Sequence, residues 1–462
     1  MHMALSVFVV VGYVLVLTFV AVRARSAREF SEFSLAGRRL GLTLIFGSLC
    51  ATYVGPAFSI GFVGKGFTSG YLFWVIGLAY ALQNLLVGLL VAPRLRGLKD
   101  CHTLGDAIGL KYDRKCQVVA GIISVGLCAG FSAVMAKAGG VVLNNVFGMR
   151  MWPAVIIVVG ITALYTTFGG LRASVITDAF QFTAFAIFLP VILVLVLLFY
   201  VKGGLSGFAV EARAATEAGF GSLSAVDIIA LAMAFLLGET LIPPYANRAL
   251  ASKTTAVSRN GFILAGLFSI AWFMVMLSLG IAARGIIPSQ VGKDDVLLSL
   301  VKTVMPAEGY FLLLVVLVSV VMSSLDSLLN AGAVAFTQDI VKPFVKLPNG
   351  SALRVGRSAT VAIAVVAALG AVAVPDIVEG LLMCYAVWAP AILPALIIGL
   401  WVKRPDPLAG ILSMAVGTVV AVGLQFVFAE DQTKARVIVP ALAASLLAYA
   451  LGRSITKLKG RV

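Results

Sequence analysis

Few side chains in this sequence can do chemistry, and they stand in unusual surroundings. Ser323, Ser324, Asp326 and Ser327 fall together inside a long apolar run. On a helix Ser323 and Ser327 share a face, and Asp326 lies within about 60–100° of both. Hydroxyl and carboxylate oxygens so grouped suit a hard cation such as sodium. Interhelical hydrogen bonding by serines is the plainer alternative. Lys65, Lys137, Asp178 and Glu239 also fall in or at the ends of apolar runs. A charge at bilayer depth costs about 2.5–3.5 kcal/mol on the insertion scale, so each is a functional candidate. Lys65 can instead snorkel to an interface, Asp178 can face the aqueous end of its span, and Lys137 can pair structurally with Glu239. Enzyme signatures are absent: Gly61 to Gly66 imitates a phosphate loop but lacks its flanking glycine and hydroxyl.

These residues need elements to hold them, and the composition says which. The chain has 462 residues, 61% hydrophobic and 12% charged. Soluble domains carry about 25% charged residues. That excludes a cytosolic enzyme, a disordered chain and a disulfide-built domain, and it predicts an all-α polytopic membrane protein. The net charge of +15 then reflects loop placement and is no sign of nucleic acid. The five cysteines and two histidines have no metal-site spacing, so no transition metal and no cofactor is expected.

Thirteen spans are predicted near 3–22, 41–64, 71–92, 117–147, 152–168, 175–201, 226–247, 260–283, 309–339, 356–373, 377–401, 407–428 and 436–452. The run 3–22 lacks a basic start and a cleavage site, so it reads as a retained span. With the N-terminus outside, 25 of the 35 lysines and arginines, Arg248 among them, fall on cytoplasmic segments and eight on the others. That bias fits the positive-inside rule and puts the C-terminus in the cytoplasm. A plasma membrane location follows, the bacterial inner membrane being the expected one.

Two spans carry helix-breaking residues. The second holds Gly55-Pro56, and the seventh holds Gly238 and Pro243-Pro244. They are five spans apart, so they enter from opposite sides. Paired interrupted helices point to a transporter binding site at the bilayer midplane. Unwound carbonyls are intolerable in lipid unless they coordinate something.

Three segments carry a family resemblance. Gly169-Gly170-Leu-Arg-Ala-Ser-Val-Ile-Thr177-Asp178-Ala-Phe-Gln181, Met322-Ser323-Ser324-Leu-Asp326-Ser327 and Ala51-Thr52-Tyr53-Val54-Gly55 resemble hallmark stretches of the sodium/solute symporter family, in order, across nearly the whole chain. The resemblance implies a LeuT-type fold of two inverted five-helix repeats, here 41–201 and 226–401, within one transmembrane domain. One extra helix, 3–22, precedes them, and two, within 407–452, follow. It implies import of a small organic solute with sodium by alternating access. The main sodium site would use the carbonyls of Ala51 and Val54 with Val320, Ser323 and Ser324. A second sodium site or ion path would use Asp178, Asp326 and Ser327, with Ser323 also within reach.

Tyr53, Phe58, Lys65, Lys137, Glu239 and Tyr245 are the expected solute-facing residues. Choline-transporter-like members are the nearest in feel, yet Tyr53 stands where they place tryptophan, and the seventh span has none. Lys65 or Lys137 would repel a permanent cation. Charge complementarity therefore favours a carboxylate-bearing or zwitterionic solute, with Glu239 meeting an amine. The alternatives are a proton-coupled transporter, a choline-like substrate, a membrane solute sensor and a channel. Besides solute, sodium and lipid no partner is expected, and a monomer suffices.

Overall fold

The computed structural model describes residue 12, residues 29–428 and residues 434–459. Apart from Gly12, the expected span 3–22 lies outside the described residues. Among the described residues the chain is all-α, with a single backbone bridge between Leu40 and Ser252. Nine of these helices are long and apolar enough to cross a membrane, or up to eleven if each sharply bent pair is one span. Only helices satisfy every backbone group locally in lipid. Polar side chains cap their starts where the chain leaves the apolar zone: Asp113 accepts from Cys116 N–H, Thr254 from Val257 N–H and Asp376 from Glu379 N–H.

The expected spans 152–168 and 175–201 run together as Met151–Phe199, 49 residues. As one rod this would reach about 74 Å, more than twice the roughly 30 Å apolar thickness. Gly170 interrupts it at φ 61°, ψ −168°, a conformation essentially confined to glycine. The break at Gly170 falls between the expected stretches 152–168 and 175–201.

The two interrupted spans are broken where their glycines and prolines stand. The first runs as Leu42–Tyr53 and Ala57–Ser69, bent by 60° at residues 54–56. The second runs as Ala225–Leu237 and Pro243–Ala251, with residues 238–242 unwound. Pro243 biases the residue before it to extended backbone, and Ile242 has ψ 157°. Leu241 sits at φ 49°, uncommon for a non-glycine residue.

Burial separates centre from rim. The apolar window of Leu312–Val341 is 89% buried and that of Met151–Phe199 is 22% buried. The serine-rich helix is therefore central, and the long broken one has its most apolar stretch at the rim. Helices at Leu104–Lys111, Gly204–Ser222 and Val296–Val304 fall in segments read as connections. The first and third are too short to register as spans, and Gly204–Ser222 does so only together with Ala225–Leu237, across a bend of 101°.

Candidate functional site

The first helix break meets the central helix at the serine motif. Ser323 Oγ donates to Ala51 O at 3.2 Å and to Val320 O at 3.1 Å. Ser324 Oγ lies 3.5 Å from both Thr52 O and Val320 O. All five of these residues are buried. A hard cation held at about 2.4 Å by oxygen separates neighbouring ligands by about 3.4 Å, so this oxygen set has the right spacing. Gly55 permits the approach: a Cβ there would stand 2.5 Å from Ser324 Oγ. Val54 O accepts from Ser59 Oγ at 2.6 Å, so its engagement differs from that of the other three carbonyls.

Next to it lies a buried ionic network. Asp178 Oδ2 accepts from Arg248 Nη2 at 2.8 Å and from Ser48 Oγ at 2.5 Å. Arg248 also donates to Ser48 Oγ at 2.7 Å, Pro244 O at 3.0 Å and Ser327 Oγ at 2.5 Å. Ser327 Oγ passes the chain on to Asp326 Oδ1 at 3.1 Å. Asp326 is otherwise held by Ser174 Oγ and Tyr165 OH, each at 3.0 Å. Thr52 joins the two clusters: its Oγ1 is 3.5 Å from Ser327 Oγ and its carbonyl faces Ser324. Thus Asp178, Asp326 and Ser327 do come together, around an arginine. Ser323 turns the other way, towards Ala51. Asp178 is wholly buried, so the alternative that it faces water does not hold. Arg248 is equally buried, so it is no loop charge. The helix restarted by Pro243-Pro244 carries it inward.

The second break presents Glu239. Tyr245 OH donates to its Oε1 at 2.7 Å and Tyr385 OH to its Oε2 at 2.8 Å. The Tyr53 ring lies 4.0 Å from that of Tyr245 and 5.7 Å from that of Tyr80, centroid to centroid. Phe58 packs 4.7 Å from Tyr80. Four of the six expected solute-facing residues, Tyr53, Phe58, Glu239 and Tyr245, therefore gather in one place.

The two lysines stand elsewhere. Lys65 lines a vestibule of about 410 Å³ together with Lys293, Glu379, Leu231 and Leu382, and its Nζ lies 5.0 Å from the Phe73 ring centroid. Burial and Asp376 push the Asp294 carboxyl up to about 6, and Lys137 is one of the charges acting on it. Among the described residues Lys137 makes no ion pair with Glu239. A pairing was plausible on hydropathy, since both interrupt apolar runs. The fold places Lys137 towards Asp294.

Several site residues were not singled out in the sequence: Ser48, Tyr165, Ser174 and Arg248 in the ionic network, and Tyr80, Gln83 and Tyr385 at Glu239. Gln83 Nε2 donates to Thr240 Oγ1 at 2.7 Å, and Trp388 Nε1 donates to Thr240 O at 2.8 Å. Tyr80 and Gln83 stand three apart in a largely apolar helix, as do Tyr385 and Trp388. That spacing marks one face and was the available signal.

Known proteins share this organisation. Residues 33–417 match the model of the sodium:solute symporter family. The sodium/pantothenate symporter of Escherichia coli is 24% identical, over 94% of this chain and 92% of its own. The sodium/glucose cotransporter of Vibrio parahaemolyticus is 23% identical, over 86% and 80%. A substrate-bound, outward-open structure of a sodium-coupled sialic acid symporter superposes with a TM-score of 0.86 at 16% identity, covering 97% of each chain. This last likeness concerns the fold, which is of the LeuT type. The chain belongs to the sodium:solute symporter family and is a membrane transporter, not an enzyme.

Proposed function

We propose that this protein imports a small carboxylate-bearing or zwitterionic solute, driven by one sodium ion held at the first helix break. One observation carries the reading: Ser323 Oγ lies 3.1–3.2 Å from two backbone carbonyls, Ala51 O and Val320 O, on two different helices. Ser324 adds a second hydroxyl, and Val54 contributes its carbonyl when Ser59 releases it. Sodium is the coupling ion, and no cofactor takes part. The Asp178, Asp326 and Ser327 set serves as an ion path and not as a second sodium site, because Arg248 already supplies its cation. The solute sits where the two breaks cross, against Tyr53, Phe58, Glu239 and Tyr245. The names of two relatives support an acid, pantothenate and, over 35% of this chain, monocarboxylate, whereas the glucose cotransporter's names a sugar.

In this reading thirteen spans form the transmembrane domain, with repeats at 41–201 and 226–401, and 3–22 and 407–452 outside them. The N-terminus is outside and the C-terminus cytoplasmic in a bacterial inner membrane, and the monomer is the working unit. Lys65 then lines an external vestibule, and Lys137 holds Asp294 beneath it. The membrane potential supplies about 2.3 kcal/mol per charge per 100 mV for inward movement. The test is accumulation by proteoliposomes under an imposed gradient. A sodium gradient alone should drive it. Accumulation under a proton gradient in sodium-free buffer would mean that a carboxylate, not sodium, couples transport.

A further inference from the structure

We infer that the solute enters the crossing amine first, as an N–H-bearing ammonium held by Glu239 inside a ring of tyrosines. This rests on the crossing being the solute site, and it narrows the solute to an amino-acid-like zwitterion. Three observations point the same way.

The first is charge. Glu239 is 5% exposed and sits on the unwound residues 238–242. Its partners are the hydroxyls of Tyr245 and Tyr385. Among the described residues no lysine or arginine comes within ion-pair distance of it. A carboxylate at membrane depth is expensive without a cation, and a solute ammonium would supply one.

The second is the wall. Tyr245, which bonds that carboxylate, packs with Tyr53, Tyr80 and Phe58 in one aromatic cluster, ring centroids 4.0–5.7 Å apart. Aromatic faces attract cations and repel anions.

The third is the free hydrogen-bonding capacity. Gln83 Oε1 is buried without a partner. Its amide nitrogen bonds Thr240, the residue beside Glu239, so that oxygen is an acceptor at the break. The Tyr80 hydroxyl is a third hydrogen-bonding neighbour of the Glu239 carboxylate. Buried acceptors need donors. An ammonium with N–H groups provides them together with the charge. A carboxylate would place lone pairs against lone pairs, and a sugar hydroxyl would bring no charge.

The carboxylate end has its attraction farther out. Leu231 and Leu382 line the vestibule beside Lys65 and Lys293. One helical turn along the same two helices stand Phe235 and Tyr385. A zwitterion reaching the tyrosines passes both lysines on its way.

Melting temperatures of the full-length protein in sodium buffer test this. The probes are α-, β- and γ-amino acids with their N-methylated forms, each matched to the hydroxy acid bearing –OH in place of the amine, plus glucose. At least one amine is expected to raise the melting temperature by about 2 °C or more, and its hydroxy-acid match should not. Glu239→Gln should abolish the amine response and keep the sodium response; should that variant fail to fold, Glu239→Asp is used and the response should weaken. Hydroxy acids or glucose acting as well as the amines would overturn the inference. So would an amine response that survives Glu239→Gln, or a protein that responds to sodium and to no amine. Loss of the wild-type sodium response itself would strike the sodium-symport reading instead.

Discussion

Arg248 donates from Nη2 to Asp178 Oδ2 at 2.8 Å, with both side chains wholly buried. The pair ties the helix after the second break to the long Met151–Phe199 helix. Ser48 and Ser327, on two other helices, accept further hydrogen bonds from Arg248, while Asp178 Oδ1 is left without a partner among the described residues.

Removing one partner leaves the other charge buried and alone, a loss of about 3–5 kcal/mol. Asp178→Asn and Arg248→Gln should each lower the melting temperature sharply. The double variant should recover part of the loss, since it strands neither charge of the pair. Additive losses in a double-mutant cycle would show that the two residues act separately.

Gly55 sets the distance between the first break and the central helix. An alanine Cβ would lie 2.5 Å from Ser324 Oγ and 3.3 Å from Thr52 O. Overpacking of this kind costs about 1–3 kcal/mol. Gly55→Ala should destabilise the protein in potassium and remove its response to sodium. Adding Ser324→Ala should restore stability, because the clashing oxygen is gone, without restoring the sodium response. Recovery of both would detach Ser324 from the ion.

A polar corner at residues 102–106 should titrate in two opposed senses. Burial, with Lys342 and Arg38 close by, lowers His102 from 6.5 to about 4. Its stabilising contribution is complete above pH 6.5 and is lost as pH falls towards 4. Burial raises Asp106 from 3.8 to about 6, against the hydrogen bonds of His102 N–H and Gln338. Its folded form takes up a proton first, so its contribution grows as pH falls from about 6 to 3.8. Across pH 4–6 the two oppose each other. His102→Asn should therefore make the melting temperature rise, relative to wild type, on acidification over this range. Asp106→Asn should make it fall more steeply. Asp339, which shares Gln117 with Asp106, is present in both variants. Parallel profiles for all three proteins would refute the assignment.

What the sequence disclosed follows from the range over which each signal acts. Helix breaks are local: Gly55-Pro56 and Pro243-Pro244 break the backbone within their own few residues, and both breaks lie where those residues stand. The serine motif is local too, and Ser323 and Ser324 do face the first break. Partner choice is not local. Lys137 and Glu239 both interrupt apolar runs, but which charge each meets depends on helix rotation, which hydropathy does not record. Arg248 counts as a loop charge until the broken helix is seen to carry it inward. Tyr80, Gln83 and Tyr385 belong to ordinary apolar helices, and only the crossing at Glu239 gives them a shared task.

The most direct test of sodium coupling needs no knowledge of the solute. A ligand that binds only the folded protein stabilises it by mass action, about 1.4 kcal/mol at ten times its dissociation constant. Melting temperatures would be compared in sodium, potassium and choline chloride at matched ionic strength, for wild type and Ser324→Ala. The account predicts a rise selective for sodium that Ser324→Ala abolishes. Equal melting temperatures in all three salts, or a sodium rise that persists in Ser324→Ala, would contradict it.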